Sequence, residues 1–139
     1  MRAWVLAAVT TLVSTITMAG GDATPPPVAS EPLALDRLEV IDLVRGKTVD
    51  CRKEKDGSLC WNYMSDDGVV KRLMAEDGAR KDGVWFVDDQ DRLCILWKGK
   101  IKPLCFLVYE QDDGTYNLIK GGRHITTLLG VEDGNTKGL

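Results

Sequence analysis

The chain has 139 residues, of which 18 are Lys or Arg, 21 are Asp or Glu and one is His. This length suits a single domain, and a content of 44% hydrophobic and 28% charged residues excludes wholesale disorder. The net charge of −3 argues against a nucleic-acid-binding protein, because such proteins usually present a basic patch or stripe. The 14 glycines indicate many tight turns rather than long helices.

Residues 1–23 have the pattern of a secretory signal peptide. Arg2 supplies a positive charge, the following 19 residues carry none, and Gly21 and Ala23 are small residues at the −3 and −1 positions of a cleavage site. The alternative is an uncleaved membrane anchor, since the uncharged stretch is nearly as long as a bilayer span of about 20 residues. The Pro-rich residues 24–32 predict an extended linker. We therefore predict a periplasmic or secreted protein, which is attached to a membrane only if the signal segment is retained.

A short helix and a series of short strands are predicted after the linker. Residues 33–45 are rich in Leu, Val and Ile and predict a helix that ends at Gly46. Beyond it, short β-prone runs alternate with Asp-Gly dipeptides, which are strong turn signals. The predicted strands are 48–52, 58–64, 69–74, 83–88, 92–98, 103–110, 115–119 and 124–128.

The spacing of these strands predicts the fold class. Turns recur about every ten residues, and no second long helical segment is present, which is typical of an antiparallel meander. We predict a mainly β fold, a meander or small barrel-like sheet stapled by disulfides, with the N-terminal helix covering an open edge or end. The single domain is expected to span residues 33–130, followed by a flexible tail at 131–139.

The four cysteines all follow the signal segment, and an even number of cysteines in an exported chain predicts disulfides. A hairpin with a four-residue loop places Cys94 opposite Cys105 and puts Pro103 where no N–H donor is needed. A turn also brings Cys51 opposite Cys60, although its Asp-Gly dipeptide favours a different register. We predict the pairs 51–60 and 94–105, while the sequence leaves the other two connectivities open.

Several short motifs in the β-rich region carry a resemblance to a known family. They are Gly46-Lys47-Thr48, Gly83-x-Trp85, Arg92-Leu93-Cys94-x-x-Trp97, Cys105-Phe106 and Asp113-Gly114-x-Tyr116. Over about residues 34–120 the chain resembles small secreted proteins of alphaproteobacteria classed as a domain of unknown function. The resemblance implies a bacterial envelope protein with a small β fold, and it transfers no catalytic residue.

The sequence offers no assembled catalytic or metal site. His124 is the only histidine, and no G-x-S-x-G nucleophile motif accompanies it. The acidic turn at 88–91 lacks the residue order of an EF-hand loop, which favours a solvated turn over a calcium site. The gaps of 8, 33 and 10 residues between cysteines differ from the close pairs of structural zinc sites. We predict no catalytic residue, metal site or cofactor.

Three lysines on one predicted hairpin, Lys98, Lys100 and Lys102, are the candidate contact for a partner with an acidic patch. Lysines at such a position also serve to protect a sheet edge.

The leading hypothesis is a non-enzymatic protein-binding or structural module whose partner is another envelope protein. The alternative is a periplasmic carrier of a small hydrophobic ligand, because the Gly-x-Trp motif and the meander are typical of barrels that hold one such molecule. A small secreted enzyme has the least support, and the oligomeric state stays open.

Overall fold

A computed structural model describes residues 32–139, so the signal peptide predicted at 1–23 and nearly all of the predicted linker lie outside the described residues. The described part contains one helix, α1 (Arg37–Val44), followed by eight strands. The strands are β1 (Lys47–Lys53), β2 (Leu59–Met64), β3 (Val69–Met74), β4 (Arg80–Val87), β5 (Leu93–Trp97), β6 (Leu104–Glu110), β7 (Tyr116–Lys120) and β8 (Arg123–Asp133). Each strand pairs antiparallel with the next, and β8 pairs with β1, which closes the sheet into a barrel. The predicted β fold with one N-terminal helix is confirmed.

The helix begins later than the sequence pattern 33–45 suggested. Asp36 is its N-cap, since its carboxylate accepts a hydrogen bond from the backbone N–H of Glu39 at 2.9 Å. The Glu39 carboxylate in turn accepts from the backbone N–H of Asp36 at 3.2 Å. This reciprocal capping box fixes the first turn of α1 at Arg37. At the other end Gly46 has a φ of +72°, a backbone conformation that a residue without a Cβ adopts readily.

Helix α1 covers one end of the barrel. Val40 and Val44 are fully buried in the core that the strands form. The backbone N–H of Arg37 donates to Oδ1 of Asp91, in the β4–β5 loop, at 2.8 Å. The N–H of Leu35 donates to a carbonyl of β6, also at 2.8 Å. These contacts all lie where β4 and β6 end, so we call this the helix end. The opposite end, formed by the β1–β2, β3–β4, β5–β6 and β7–β8 turns, is called the mouth.

Both predicted disulfides are present. Cys51 of β1 lies directly opposite Cys60 of β2, and Cys94 of β5 lies opposite Cys105 of β6. Pairing of β5 with β6 extends only to Ile95, so the loop between them is longer than the four residues predicted. Each bridge staples one hairpin, and all four cysteines of the chain are oxidised. The disulfides indicate an oxidising environment.

The predicted tail at 131–139 is partly a strand. β8 continues to Asp133, because the first residues of β1 offer it an antiparallel partner. The chain beyond β8 is also attached to β1 through one hydroxyl group. Thr48 Oγ1 donates to the carbonyl of Gly134 at 2.7 Å and accepts from the N–H of Thr136 at 3.2 Å. The domain therefore extends past its predicted boundary at residue 130.

Candidate functional site

The barrel encloses a cavity of about 350 Å³. Alternate side chains of each strand point inward, so the strand register determines its wall. Most of the wall is apolar, and it includes Val49, Met64, Leu93, Ile95, Leu118 and Leu128. Pockets for small molecules start at about 300 Å³. At roughly 30 Å³ for each water-sized group, this cavity has room for about a dozen non-hydrogen atoms.

Basic side chains gather toward the mouth of the cavity. They are Lys53, Lys55, Arg72, Lys81, Lys100 and Lys102. Among residues 32–139, no carboxylate contributes to the cavity wall. A concave site lined by charges of one sign and by low-dielectric walls focuses the electric field and concentrates ions of the opposite sign. The mouth therefore favours anions.

Arg72 lies within the barrel wall, on β3, rather than on a turn. Its Nε–H donates to Oδ1 of Asn62 at 2.9 Å, and its guanidinium carbon lies 4.5 Å from the centre of the Trp97 ring. Within the described part of the chain, no carboxylate forms an ion pair with it. Burial lowers the pKa of Arg72 to about 10, because the guanidinium loses hydration, yet the group stays charged at neutral pH. Residues 32–139 thus place a cation in the barrel and supply no carboxylate to pair with it.

The position of the Trp97 ring depends on a glycine in the neighbouring strand. Gly83 of β4 lies opposite Trp97 in the sheet. A Cβ on Gly83 would lie 2.6 Å from the carbonyl oxygen of Leu96 and 3.1 Å from Cε3 of Trp97. Because that space is free, the indole lies close to β4 and faces Arg72. The Nζ of Lys81, also on β4, is 5.3 Å from the centre of the same ring.

The cations at the mouth repel one another. The pKa of Lys81 is lowered first by burial and then by the positive charges of Arg72, Lys53 and Lys100. Each cause disfavours the ammonium form. A bound anion would act in the opposite direction and raise the pKa of Lys81, since an opposite charge close to these groups favours their charged forms.

The three lysines predicted to contact a partner are split between two positions. Lys100 and Lys102 line the mouth of the cavity, whereas Lys98 lies on the outer side of the β5–β6 loop. Between them Ile101 is 93% exposed. Their contact with a partner stays a prediction.

Asp88, in the acidic turn at 88–91, is occupied by contacts within that turn. Its carboxylate forms an ion pair with Arg92 at 2.7 Å and accepts from the backbone N–H groups of Gln90 and Arg92. It also lies near the sulfur atoms of Cys94 and Cys105. Those two sulfurs form a disulfide and therefore offer no thiolate to a metal ion.

His124 belongs to a polar network on the outside of the mouth. Its Nε2 lies 2.9 Å from Oγ1 of Thr127, and that hydroxyl donates to Oε1 of Glu54 at 2.6 Å. Glu54 follows β1 directly, so the network joins the end of β1 to β8. The hydrogen bond from Thr127 is the largest cause that lowers the pKa of Glu54.

Arg72 was missed by the reasoning from sequence, although a signal for it exists. In β3 it alternates with Val70 and Met74, so a basic residue shares the face of two apolar ones. By contrast, Trp97 and Gly83 both belong to the short motifs of the family resemblance, although the sequence assigned no role to either residue.

We compared the chain with protein-family models, with curated proteins and with solved structures, and none of them matches it. The family resemblance drawn from the short motifs therefore stays a prediction. No helix within residues 32–139 has the length and hydropathy that are needed to span a membrane.

Proposed function

We propose that the protein binds a small, largely apolar ligand inside its barrel and acts as a carrier for it. The observation that supports this proposal is the apolar cavity of about 350 Å³ within a closed barrel. An eight-stranded barrel has an interior that is either filled by its own side chains or holds one small ligand. Here the side chains leave space for a ligand.

The two ends of the barrel differ in a way that suits entry from the mouth. At the helix end, Val40 and Val44 of α1 pack into the core. At the mouth, the wall of the cavity includes the partly exposed side chains of Leu104 and Ile125. An apolar ligand would meet these two side chains first and then the interior of the barrel.

The disulfides and the N-terminal segment support a proposal for the cellular setting. Two disulfides require an oxidising compartment, and the predicted signal peptide at 1–23 supports export. We therefore propose that the carrier works in the periplasm or outside the cell. The proposed function is the alternative hypothesis from the sequence, a carrier of a small ligand, rather than the leading one, a protein-binding or structural module. Both hypotheses are non-enzymatic.

The test is binding of a neutral environment-sensitive dye that is small enough for this cavity, 1-naphthylamine, followed by fluorescence. In Leu118→Trp, a larger side chain from β7 takes up part of the cavity in the middle of the wall, and we expect dye affinity to fall at least about tenfold. Ile119→Trp is the matched control, since residue 119 faces the outer side of the same strand, and its affinity should equal that of wild type. Val49→Phe repeats the test from β1 if Leu118→Trp does not fold. Unchanged dye binding in a folded variant with the smaller cavity, or no binding to wild type, would contradict the proposed function.

A further inference from the structure

We propose that the ligand is an amphiphile with one carboxylate, of the fatty-acid type, and that Arg72 binds this carboxylate inside the barrel. The inference rests on the proposed function and names the chemical class of the ligand. It depends on the geometry of Arg72 and on the charges that surround the mouth.

Arg72 is held in a fixed orientation with donors to spare. The hydrogen bond from Nε to Asn62 and the stacking on Trp97 together fix the plane of the guanidinium. Asn62 is itself buried, and its Nδ2 lies 3.5 Å from the sulfur of Cys51. The two terminal nitrogens of Arg72 donate no hydrogen bond within residues 32–139, and neither is a fully buried atom without a partner. They are therefore free to donate to a molecule in the cavity.

The planar guanidinium group matches a carboxylate. It presents parallel N–H donors that bind both oxygens of a carboxylate, which a lysine ammonium does not do. An apolar chain attached to that carboxylate would lie against the apolar part of the wall. One molecule would then contact both the basic part and the apolar part of the cavity wall.

The charge balance of the cavity also calls for an anion. A charge removed from water is normally paired, because an unpaired one is costly to bury. Here Lys81 lies close enough to Arg72, Lys53 and Lys100 to be repelled by each of these three cations. With no carboxylate in the wall that residues 32–139 form, the counterion must come from outside these residues.

The position of Arg72 also predicts the direction in which the ligand lies. Arg72 pairs with Lys81 in the sheet, and both lie toward the mouth. Met64 and Leu93 line the cavity near the helix end, where β2 ends and β5 begins. The carboxylate would therefore lie near the mouth and the apolar chain would point toward α1.

The test compares decanoate with decanol, which share an apolar chain and differ in charge, as competitors of the neutral dye at neutral pH. We expect decanoate to bind wild type at least about tenfold more tightly than decanol, the fold change that a charge-assisted hydrogen bond gives. In Arg72→Met the two competitors should bind equally. Lys71→Gln is the control, because Lys71 is an exposed cation on the outer side of the same strand, and it should keep the preference of wild type.

The outcomes separate this inference from the proposed function. If the dye binds and decanol competes as well as decanoate, the carboxylate is not recognised and the inference is wrong, while the carrier function stands. If the dye does not bind at all, the proposed function itself fails. If Arg72→Met is less stable but keeps the preference for decanoate, Arg72 has a structural role only, which also overturns the inference. The wild-type comparison needs no variant, so it tests recognition of the carboxylate even if Arg72→Met does not fold. In that case Arg72→Lys, which keeps the charge but loses the paired donors, tests the role of Arg72, and an unchanged preference for decanoate would overturn it.

Discussion

Gly83 gives the sharpest stability test of the barrel geometry. A methyl group at this position would lie 2.6 Å from the carbonyl oxygen of Leu96 and 3.1 Å from both Cα and Cε3 of Trp97. Two of these three atoms belong to the backbone of β5, so Gly83→Ala cannot be accommodated by rotating a side chain. β4 and β5 must separate locally, and the indole must leave its place beside Arg72.

The expected loss of stability is about 2–3 kcal/mol, the upper part of the range for inserting a methyl group into a packed site. At about 4–8 °C for each kcal/mol in a domain of this size, the Tm should fall by roughly 10 °C or more. Gly130→Ala in β8 is the matched control. A Cβ at Gly130 would lie 3.4 Å from the nearest atom, Oδ2 of the Asp50 side chain, which can move. Its stability should lie within about 0.5 kcal/mol of wild type.

Thermal and urea unfolding, followed by far-UV circular dichroism with the disulfides intact, measures both variants. Because the indole is displaced, Gly83→Ala should also lose the preference for decanoate over decanol. If Gly83→Ala is no less stable than Gly130→Ala, the close approach of β4 and β5 that positions Trp97 is wrong.

Three further predictions concern one partly buried charge, one hydrogen bond to the start of α1 and one disulfide. The pKa of Asp50 is raised first by burial and then by repulsion from a neighbouring carboxylate. The folded protein therefore binds this proton more tightly than the unfolded chain does. Its stability falls as pH rises through the raised pKa. Asp50→Asn should therefore raise the Tm at neutral pH by more than it does near pH 4, and an increase that is independent of pH would contradict this. Asp91→Ala removes the acceptor for the N–H of Arg37 and should lower the free energy of unfolding in urea by about 1 kcal/mol. Asp91→Asn should cost clearly less, because asparagine keeps an acceptor and tolerates the φ of +62°. Replacing both Cys94 and Cys105 by Ala opens a loop with a sequence separation of 11 residues and should cost roughly 2–3 kcal/mol, so a loss below about 0.5 kcal/mol would show that this bridge does not constrain the unfolded chain.

The strands and the bridges were predictable because their signals are local. Asp-Gly dipeptides separate most of the short β-prone runs, and all eight strands overlap the predicted ones. Two bounds were wrong, because β4 begins at Arg80 rather than at residue 83 and β8 continues to Asp133 rather than ending at residue 128. Pro103 cannot donate a hydrogen bond, and this constraint set the register that brings Cys94 opposite Cys105. The start of the helix was also readable from Asp36 and Glu39, which have capping-box spacing, but the apolar run before them suggested an earlier start.

The closure of the barrel and the candidate site depend on non-local pairing. Lys47 pairs with Asp133 at the two ends of the domain, and no local pattern indicates that contact. Without closure, β8 appeared to end early and its last residues resembled a tail. The role of Arg72 needs the same information, because alternation in β3 shows which residues share a face but not that this face encloses a cavity.

The most direct test of ligand binding in the barrel is a methyl NMR titration of the wild-type protein with decanoate. We predict chemical-shift changes at the leucine methyl groups that line the cavity, those of Leu93, Leu118 and Leu128. The methyl groups of Leu33 and Leu38, which are largely exposed outside the barrel, should not change. Changes confined to Leu33 and Leu38, or no changes at all, would contradict binding inside the barrel.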